Sequence, residues 1–285
     1  MKKKVYLDFW SQDSMLEGIS KVYGIPEKEI IHLIVRYHEQ EELLSAIFEQ
    51  YQIHPDVHDL DNVYIRCKLI GKYPDKSMLK AEGLLSLTEL LKREDAFLVR
   101  FLKENGISIN VEKRTFRLHD TVVKIEKSSD LGNKLYYDRG EIEAFYCCDE
   151  NEMIKYSTVK RYPEILLAVD EFVEKNFRRD LDLGNKWSDL CAGFDIISFY
   201  VKLNDTTYIN NCRANGWQET WPYENYYKEE YPYTDSYPEL LYRNLWLLKY
   251  GLSRIHSENF SELCLGIRNG VAIPYSELSI EHCED

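Results

Sequence analysis

Helical and strand-like patterns follow one another irregularly along this chain. After a helical beginning, the order is strand, short helices, strands, helix, strand, helix, strand. A doubly wound parallel sheet needs strands and helices that alternate regularly, so this order predicts an α+β fold. The run GFDIISFYVKL at 193–203 is the most strand-like stretch, and it predicts a strand in the interior of a sheet.

The first 58 residues differ from the rest of the chain in their purely helical pattern. Ser14 and Glu17 have the spacing of a capping box, which marks the start of a helix. From 27 to 51, isoleucine and leucine recur at the three- and four-residue spacing of amphipathic helices. We therefore predict a helical module at 1–58, followed by an α+β domain at 59–285.

Within the α+β region, local patterns predict individual elements. NVYIRCKLIG at 62–71 has the pattern of a strand, and the residues after it predict short helices that end at Gly106. Ser86 and Glu89 repeat the capping box inside this helical stretch. Three further strands are predicted at 107–111, 115–118 and 121–126.

Composition and charge limit the classes of partner. The chain of 285 residues is 44% hydrophobic and 30% charged, as is usual for a globular protein, and its net charge is −13. This charge opposes long-range attraction of the whole protein to nucleic acid or to an anionic membrane. A local basic groove remains compatible with it.

The chain start and the cysteines predict a cytoplasmic protein. MKKKVYLDFW is followed by polar residues where a signal peptide has its apolar core, and the sequence has no run of about 20 apolar residues. Seven cysteines without CxxC spacing fit reduced thiols better than a disulfide framework or a zinc site.

The common catalytic signatures are missing from the sequence. GxGxxG, GxxxxGK[ST], HExxH and GxSxG do not occur, which argues against the commoner nucleotide-binding and hydrolase classes. His54 and His58 are four residues apart, but Pro55 lies between them and no third ligand is evident. We predict no metal site and expect these histidines in a solvent-facing loop; a metal-dependent hydrolase has the least support.

Two segments carry polar residues suited to binding an anion or a ribose. Arg66 lies in the predicted strand and projects to the face opposite Cys67. Tyr156, Ser157 and Thr158 precede a predicted helix start, where hydroxyl and backbone N–H groups can bind such ligands. The alternatives are a solvent-facing strand arginine and ordinary helix capping.

The segment 217–237 combines many aromatic side chains with glutamates. It contains Trp217, Trp221, Tyr226 and Tyr227, and it has too little aliphatic content for a core element. An aromatic loop is a stacking surface for a base or a protein partner. The alternative is a long loop that its aromatic side chains hold against the body of the protein.

Glu262 stands near the start of FSELCLGIRNGVAIPYSEL at 260–278. This stretch predicts a strand, an Asn-Gly turn and a second short strand. A carboxylate at the start of the first strand can hold a ribose hydroxyl or stabilise a developing oxocarbenium cation. Alternatively, Glu262 is an edge residue that keeps the strand solvated.

Taken in order, these segments resemble the ADP-ribosyltransferase superfamily, especially bacterial nucleic-acid-modifying toxins and phage-defence proteins. YIRCK before SMLKAEGLLSL is similar to the family's first element, YSTVKRYPEIL to its middle element, and SELCL before VAIPYSEL to its last. The resemblance implies a split-sheet α+β fold and NAD as co-substrate. It assigns catalysis to Glu262 and Arg66, and cofactor binding to Arg66, Tyr156, Ser157 and Thr158.

The same resemblance implies the reaction and the partners. Cleavage of the nicotinamide glycosidic bond would transfer ADP-ribose to a nucleic acid or protein acceptor, and a neutralising antitoxin is a further expected partner. The chain lacks the family's Glu-x-Glu or Gln-x-Glu pair, since Phe260 stands two residues before Glu262. The alternative hypothesis is a non-catalytic recognition or sensor protein that binds its partner through the loop 217–237.

Overall fold

The computed structural model describes residues 3–137, 142–147, 160–209, 212–213, 239–256, 263–268 and 270–284. These residues form helices and two β-sheets in an irregular order, which confirms the predicted α+β class. Within those ranges, no helix is both long and apolar enough to cross a bilayer.

The elements have the following bounds. The helices are α1 (Gln12–Tyr23), α2 (Glu27–Arg36), α3 (Gln40–Tyr51), α4 (Lys76–Glu82), α5 (Leu87–Leu91), α6 (Phe97–Glu104), α7 (Glu164–Phe177), α8 (Leu183–Asp189) and α9 (Glu239–His256). The strands are β1 (Val5–Leu7), β2 (Val63–Gly71), β3 (Ile107–Asn110), β4 (Thr115–Leu118), β5 (Thr121–Lys124), β6 (Ile142–Cys147), β7 (Phe194–Lys202), β8 (Thr206–Ile209), β9 (Cys212–Arg213), β10 (Leu263–Ile267) and β11 (Ser279–Cys283).

Two helix starts show which capping signals the chain uses. Ser86 accepts the N–H of Glu89 (3.4 Å) and caps α5, which confirms the predicted cap. The predicted cap at Ser14 with Glu17 is wrong, because Ser11 accepts the N–H of Ser14 (3.3 Å) and α1 begins one residue after Ser11. Ser11 is the earlier of the two hydroxyl residues, so Ser14 falls inside the first turn.

The strands form a large mixed sheet and a small antiparallel one. The eight-stranded sheet has the order β11-β7-β2-β6-β10-β8-β9, and β1 pairs with β2 in parallel. Strand β7 has a neighbour on each side, which confirms the interior strand predicted at 193–203. The second sheet has the order β3-β4-β5 and uses the three strands predicted after Gly106.

The end of the chain differs from the predicted hairpin. Strand β10 is present, but in place of a second short strand, Ile273 makes a single bridge to Leu84, and a 3-10 turn follows at Tyr275–Glu277. Leu84 and Ile273 exchange two backbone hydrogen bonds (2.9 and 3.0 Å) as an isolated bridge. The last strand is instead β11, which pairs antiparallel with β7.

The chain divides into two compact units. The first comprises Met1–Cys67, Phe145–Asp149 and Tyr200–Leu265, and the second comprises Lys68–Ala144, Glu150–Phe199 and Gly266–Asp285. The first 58 residues supply β1 and α1 to α3 to the first unit. That they form a separate helical module stays a prediction.

The core of the first unit is built around buried aromatic rings. Phe9, Tyr146 and Trp246 are fully buried, with ring centroids 5.0 to 5.5 Å apart. Helix α1 packs against α9 in the same unit. Cys67 and Cys147 are buried there as free thiols, and burial raises the pKa of Cys67.

The core of the second unit centres on Trp187 of α8. The rings of Phe97 and Phe101 meet Trp187 edge-on, at centroid distances of 5.2 and 5.1 Å. Its indole Nε1 donates a hydrogen bond to the carbonyl of Lys72 (2.9 Å), so the buried donor is satisfied. These contacts pack α6 and α8 together within the unit.

Candidate functional site

Arg66 lies in the part of β2 that belongs to the first unit. Along this part, Val63, Ile65 and Cys67 are buried, whereas Tyr64 and Arg66 are half-buried. Side chains of a strand alternate between its two faces, so Arg66 projects from the face opposite Cys67 and shares that face with Tyr64. A solvent-accessible guanidinium therefore stands on a sheet face rather than in a loop.

One carboxylate partner of Arg66 is Asp8, which follows β1. One carboxylate oxygen of Asp8 accepts the N–H of Trp10 (2.9 Å), and the Asp8 carbonyl accepts the N–H of Ser11 (3.1 Å). Arg254 of α9 donates to the Phe9 carbonyl at 2.7 Å. These bonds fix the turn after β1 and hold the Asp8 carboxylate in one place.

Arg66 and Asp8 form an ion pair within the first unit. Nη1 of Arg66 lies 2.8 Å from Oδ2 of Asp8, and the side chains are 35% and 13% exposed. An ion pair that water reaches is worth about 0–1 kcal/mol, because solvent screens the attraction. The pair orients the guanidinium, but an incoming anion would displace the Asp8 carboxylate from it at a small cost in free energy.

Three tyrosine rings pack against one another in the same unit, and we call them the tyrosine face: Tyr6, Tyr64 and Tyr200. Tyr6 stands directly opposite Tyr64 in the β1–β2 register, with ring centroids 5.5 Å apart, and meets Tyr200 edge-on at 4.9 Å. Tyr6 and Tyr200 are exposed. Nζ of Lys4 lies 4.7 Å from the centre of the Tyr64 ring, a cation–π contact.

Electrostatic coupling joins the tyrosine face to the ion pair. Burial raises the pKa of Tyr200, and the Asp8 carboxylate raises it further, whereas the Arg66 guanidinium acts in the opposite direction. The hydroxyl of Tyr200 is therefore protonated at neutral pH and can donate a hydrogen bond. Arg66, Asp8 and the tyrosine face together form the Arg66 site.

The Arg66 site combines two recognition chemistries. A guanidinium binds phosphate or carboxylate oxygens through charge-assisted hydrogen bonds. Aromatic rings stack on a base, at about 1–3 kcal/mol per base. A ligand with a phosphate group and an aromatic ring, such as a nucleotide, would use both.

The other predicted site residues lie outside the described residues. They are Tyr156, Ser157, Thr158, Trp217, Trp221, Tyr226, Tyr227 and Glu262. Of the predicted set, only Arg66 is placed, so its proximity to the others stays a prediction.

The structure adds residues to the site that the sequence analysis missed. Tyr6, Tyr64 and Tyr200 each occupy the middle of an apolar-Tyr-apolar triplet, as VYL, VYI and FYV. In a strand this pattern buries the outer two side chains and exposes the ring between them. The triplet alone does not identify this face, because Tyr146 is the middle residue of FYC in β6 and is fully buried. Asp8 carried no such signal, because only the fold brings it to Arg66.

The prediction holds for one of the two histidines, since His54 is exposed in a loop. His58 is half-buried: its ring stacks on Tyr23 at a centroid distance of 4.9 Å, and Nε2 lies 3.0 Å from the Val22 carbonyl. In the described part of the chain, no three histidine, cysteine or acidic side chains are grouped as metal ligands. His58 belongs to the packing of the first unit.

The sequence matches no protein-family model, and comparisons with curated proteins and with solved structures find no similar protein.

Proposed function

We propose that this chain is an NAD-dependent ADP-ribosyltransferase of the split-sheet type, acting on a nucleic acid or protein acceptor as a bacterial toxin or phage-defence effector. The observation that carries the proposal is the accessible Arg66 guanidinium beside the tyrosine face. This pairing suits a dinucleotide, because it carries a central diphosphate and an aromatic base at each end. The family resemblance supplies the reaction.

Each residue has a defined task in this proposal. Arg66 donates hydrogen bonds to a phosphate of NAD, and a ring of the tyrosine face stacks on one of its bases. Tyr156, Ser157 and Thr158 bind the nicotinamide ribose. Glu262 stabilises the positive charge that develops on this ribose as its bond to nicotinamide breaks. Nicotinamide leaves with the bonding electrons, the acceptor forms the new bond to the ribose, and its proton passes to solvent.

Asp8 sets the cost of cofactor binding. In the free protein it holds the guanidinium of Arg66, and a phosphate competes with it for the same donors. An ion pair that water reaches contributes little, whereas a two-oxygen contact between guanidinium and phosphate is stronger. Exchange of Asp8 for phosphate is therefore favourable.

The test is release of nicotinamide from NAD by the purified protein, with RNA, DNA and protein acceptors assayed separately. Glu262→Gln should lower turnover about 100-fold while NAD still binds, since it removes one charge from the transition state. Arg66→Lys should raise KM for NAD about tenfold, because lysine lacks the planar two-donor geometry.

Arg117→Lys is the matched control. Arg117 is an exposed arginine in the antiparallel strand β4 of the second unit, and its replacement should leave KM unchanged. An unchanged KM in Arg66→Lys would remove the Arg66 site from the proposal. Intact NAD with every acceptor would contradict the transferase function itself.

One observation favours the alternative, a non-catalytic recognition protein. Asp8 neutralises Arg66, and a binding module has no need of a free cofactor-binding cation. In that case, NAD would stay intact and partner binding would depend on the loop 217–237. Trp217→Ala and Trp221→Ala would then abolish binding, whereas Glu262→Gln would not affect it.

A further inference from the structure

A groove of about 490 Å³ runs along β3 in the second unit. Every residue from 107 to 112 lines it. Consecutive residues of a strand point to opposite faces of the sheet, so a groove that contacts all of them lies along the edge of the strand. Strand β3 is an edge strand of the three-stranded sheet, with β4 on its other side.

The hydrogen-bond pattern shows which backbone groups face the groove. The Gly106 carbonyl accepts the N–H of His119 (2.8 Å), which makes these two residues a hydrogen-bonded pair at the start of the β3–β4 ladder. Bonded and non-bonded pairs alternate in an antiparallel ladder. Ile107 and Ile109 therefore direct their N–H and C=O groups away from β4, where no backbone partner is present among the described residues.

The groove has an apolar wall opposite this edge. Val99 and Leu102 of α6 and Leu91 of α5 line it, together with the side chains of Ile107 and Ile109. Its volume falls within the range of about 300–1,000 Å³ that is usual for ligand sites. The groove lies between β3 and residues of α5 and α6, so an extended segment bound there would contact both sides.

The charges at the rim balance. The lining contains Lys92, Glu94, Lys103 and Glu112. Lys92 is 2.7 Å from Glu89, and Lys103 is 3.5 Å from Glu94, so both lysines already have carboxylate partners. A segment with little net charge complements such a rim better than an acidic or basic one.

We infer that this groove binds an extended peptide segment of a partner protein, which adds as a strand to β3 and alternates apolar and polar residues. The outward N–H and C=O groups of Ile107 and Ile109 would pair with the backbone of the peptide. Its apolar side chains would lie against Val99 and Ile109, which are half-buried residues of the lining. This site is independent of NAD and of Arg66.

The probe is a phage-displayed library of random linear peptides, selected on the full chain and resynthesised as soluble peptides. Ile109→Pro removes an outward N–H without removing a bond to β4, and it should weaken the selected peptides about tenfold. The matched control is Val122→Pro on β5, at the opposite edge of the same sheet. The Ile125 N–H donates to the Arg114 carbonyl (2.8 Å), which makes these two residues a hydrogen-bonded pair of the β4–β5 ladder. By the same alternation, the backbone N–H of Val122 points away from β4.

Two readouts do not depend on a proline variant. In the wild type, the bound peptide should slow hydrogen exchange at the amides of Ile107 and Ile109 about tenfold or more. A peptide methylated on alternate backbone nitrogens should bind about tenfold more weakly. The inference would be overturned if the methylated peptide bound as tightly as the unmethylated one, or if Val122→Pro weakened peptide binding as much as Ile109→Pro. It would also be overturned if the selection yielded no peptides that prefer the wild type to Ile109→Pro.

Discussion

Two aspartates, one in each unit, pair with cationic side chains, and the two clusters differ in exposure. In the first unit, Asp8 is paired with Arg66. In the second, Asp195 of β7 is 3% exposed, and its carboxylate lies 3.0 Å from Nζ of Lys76 and 2.9 Å from Nδ1 of His282. Water reaches both members of the first pair, but it hardly reaches Asp195.

The difference separates a ligand site from a structural contact. His282 is directly opposite Asp195 in the β11–β7 register, and Lys76 begins α4, so Asp195 ties two elements to β7. A buried carboxylate is stable only when it is paired, whereas an exposed pair can exchange partners. Asp195 therefore stabilises the second unit, and Asp8 is suited to give up Arg66 to a ligand.

Each aspartate also has a tyrosine neighbour. Burial raises the pKa of Tyr73 to about 12, and the carboxylates of Asp195 and Glu82 contribute to this. The pKa of Tyr200 is also raised, by burial and by the Asp8 carboxylate, but the Arg66 guanidinium opposes this rise. The two tyrosines report the electrostatic balance of the two clusters.

The largest effect is expected when Asp195 loses both partners. Lys76→Met with His282→Leu leaves a buried, unpaired carboxylate and should lower the free energy of unfolding by about 3–5 kcal/mol in urea denaturation. Adding Asp195→Asn should recover most of this loss. A loss below about 1 kcal/mol would show that Asp195 is solvated, and the contrast with Asp8 would fail.

A smaller effect is expected in alkali. The folded pKa of Tyr73 is raised above the ordinary value of 10.0 to about 12, so its contribution to stability is complete below pH 10 and is lost as the pH rises through 12. Tyr73→Phe should remove this part of the alkaline decline, about 1–2 kcal/mol, in unfolding experiments between pH 9 and 12. An unchanged pH dependence would show that the Tyr73 hydroxyl is not buried.

The sequence predicts local elements well where the pattern is itself local. Alternation in 62–71 was enough to place β2, and the capping pattern at Ser86 was enough to place the start of α5. The final hairpin was predicted incorrectly because the partner of Ile273 is Leu84, a residue far away in the chain. Strand partners of this kind depend on the whole fold.

The site was less predictable than the fold for the same reason. Arg66 could be selected from its strand, but its partner Asp8 is 58 residues away and lies in an ordinary turn. A similar case is Asn244 of α9, which donates to the carbonyls of Pro55 and His58 (both 2.9 Å) and has no sequence motif. Long-range polar contacts have no periodicity, so no local pattern indicates them.

The half-buried Asp8 should affect ligand binding more than stability. Asp8→Asn removes the carboxylate that competes for Arg66, and it should tighten NAD binding about fivefold, which corresponds to about 1 kcal/mol. Isothermal titration calorimetry measures this change directly. Asp61→Asn is a control from the same unit, since Asp61 pairs with Lys202. Equal tightening in both variants would assign the effect to general charge.

The smallest effect is expected when Arg66 itself is replaced. Arg66→Met should change the free energy of unfolding by less than about 1 kcal/mol, because Asp8 keeps its hydrogen bond from Trp10 and remains in contact with water. The pKa of Tyr200 should rise further, since the opposing positive charge is gone. NMR titration of the tyrosine ring carbons would follow this rise, with Tyr200→Phe to assign the signal. A constant pKa would mean that Arg66 does not act on the tyrosine face, and the two clusters would then differ in burial alone.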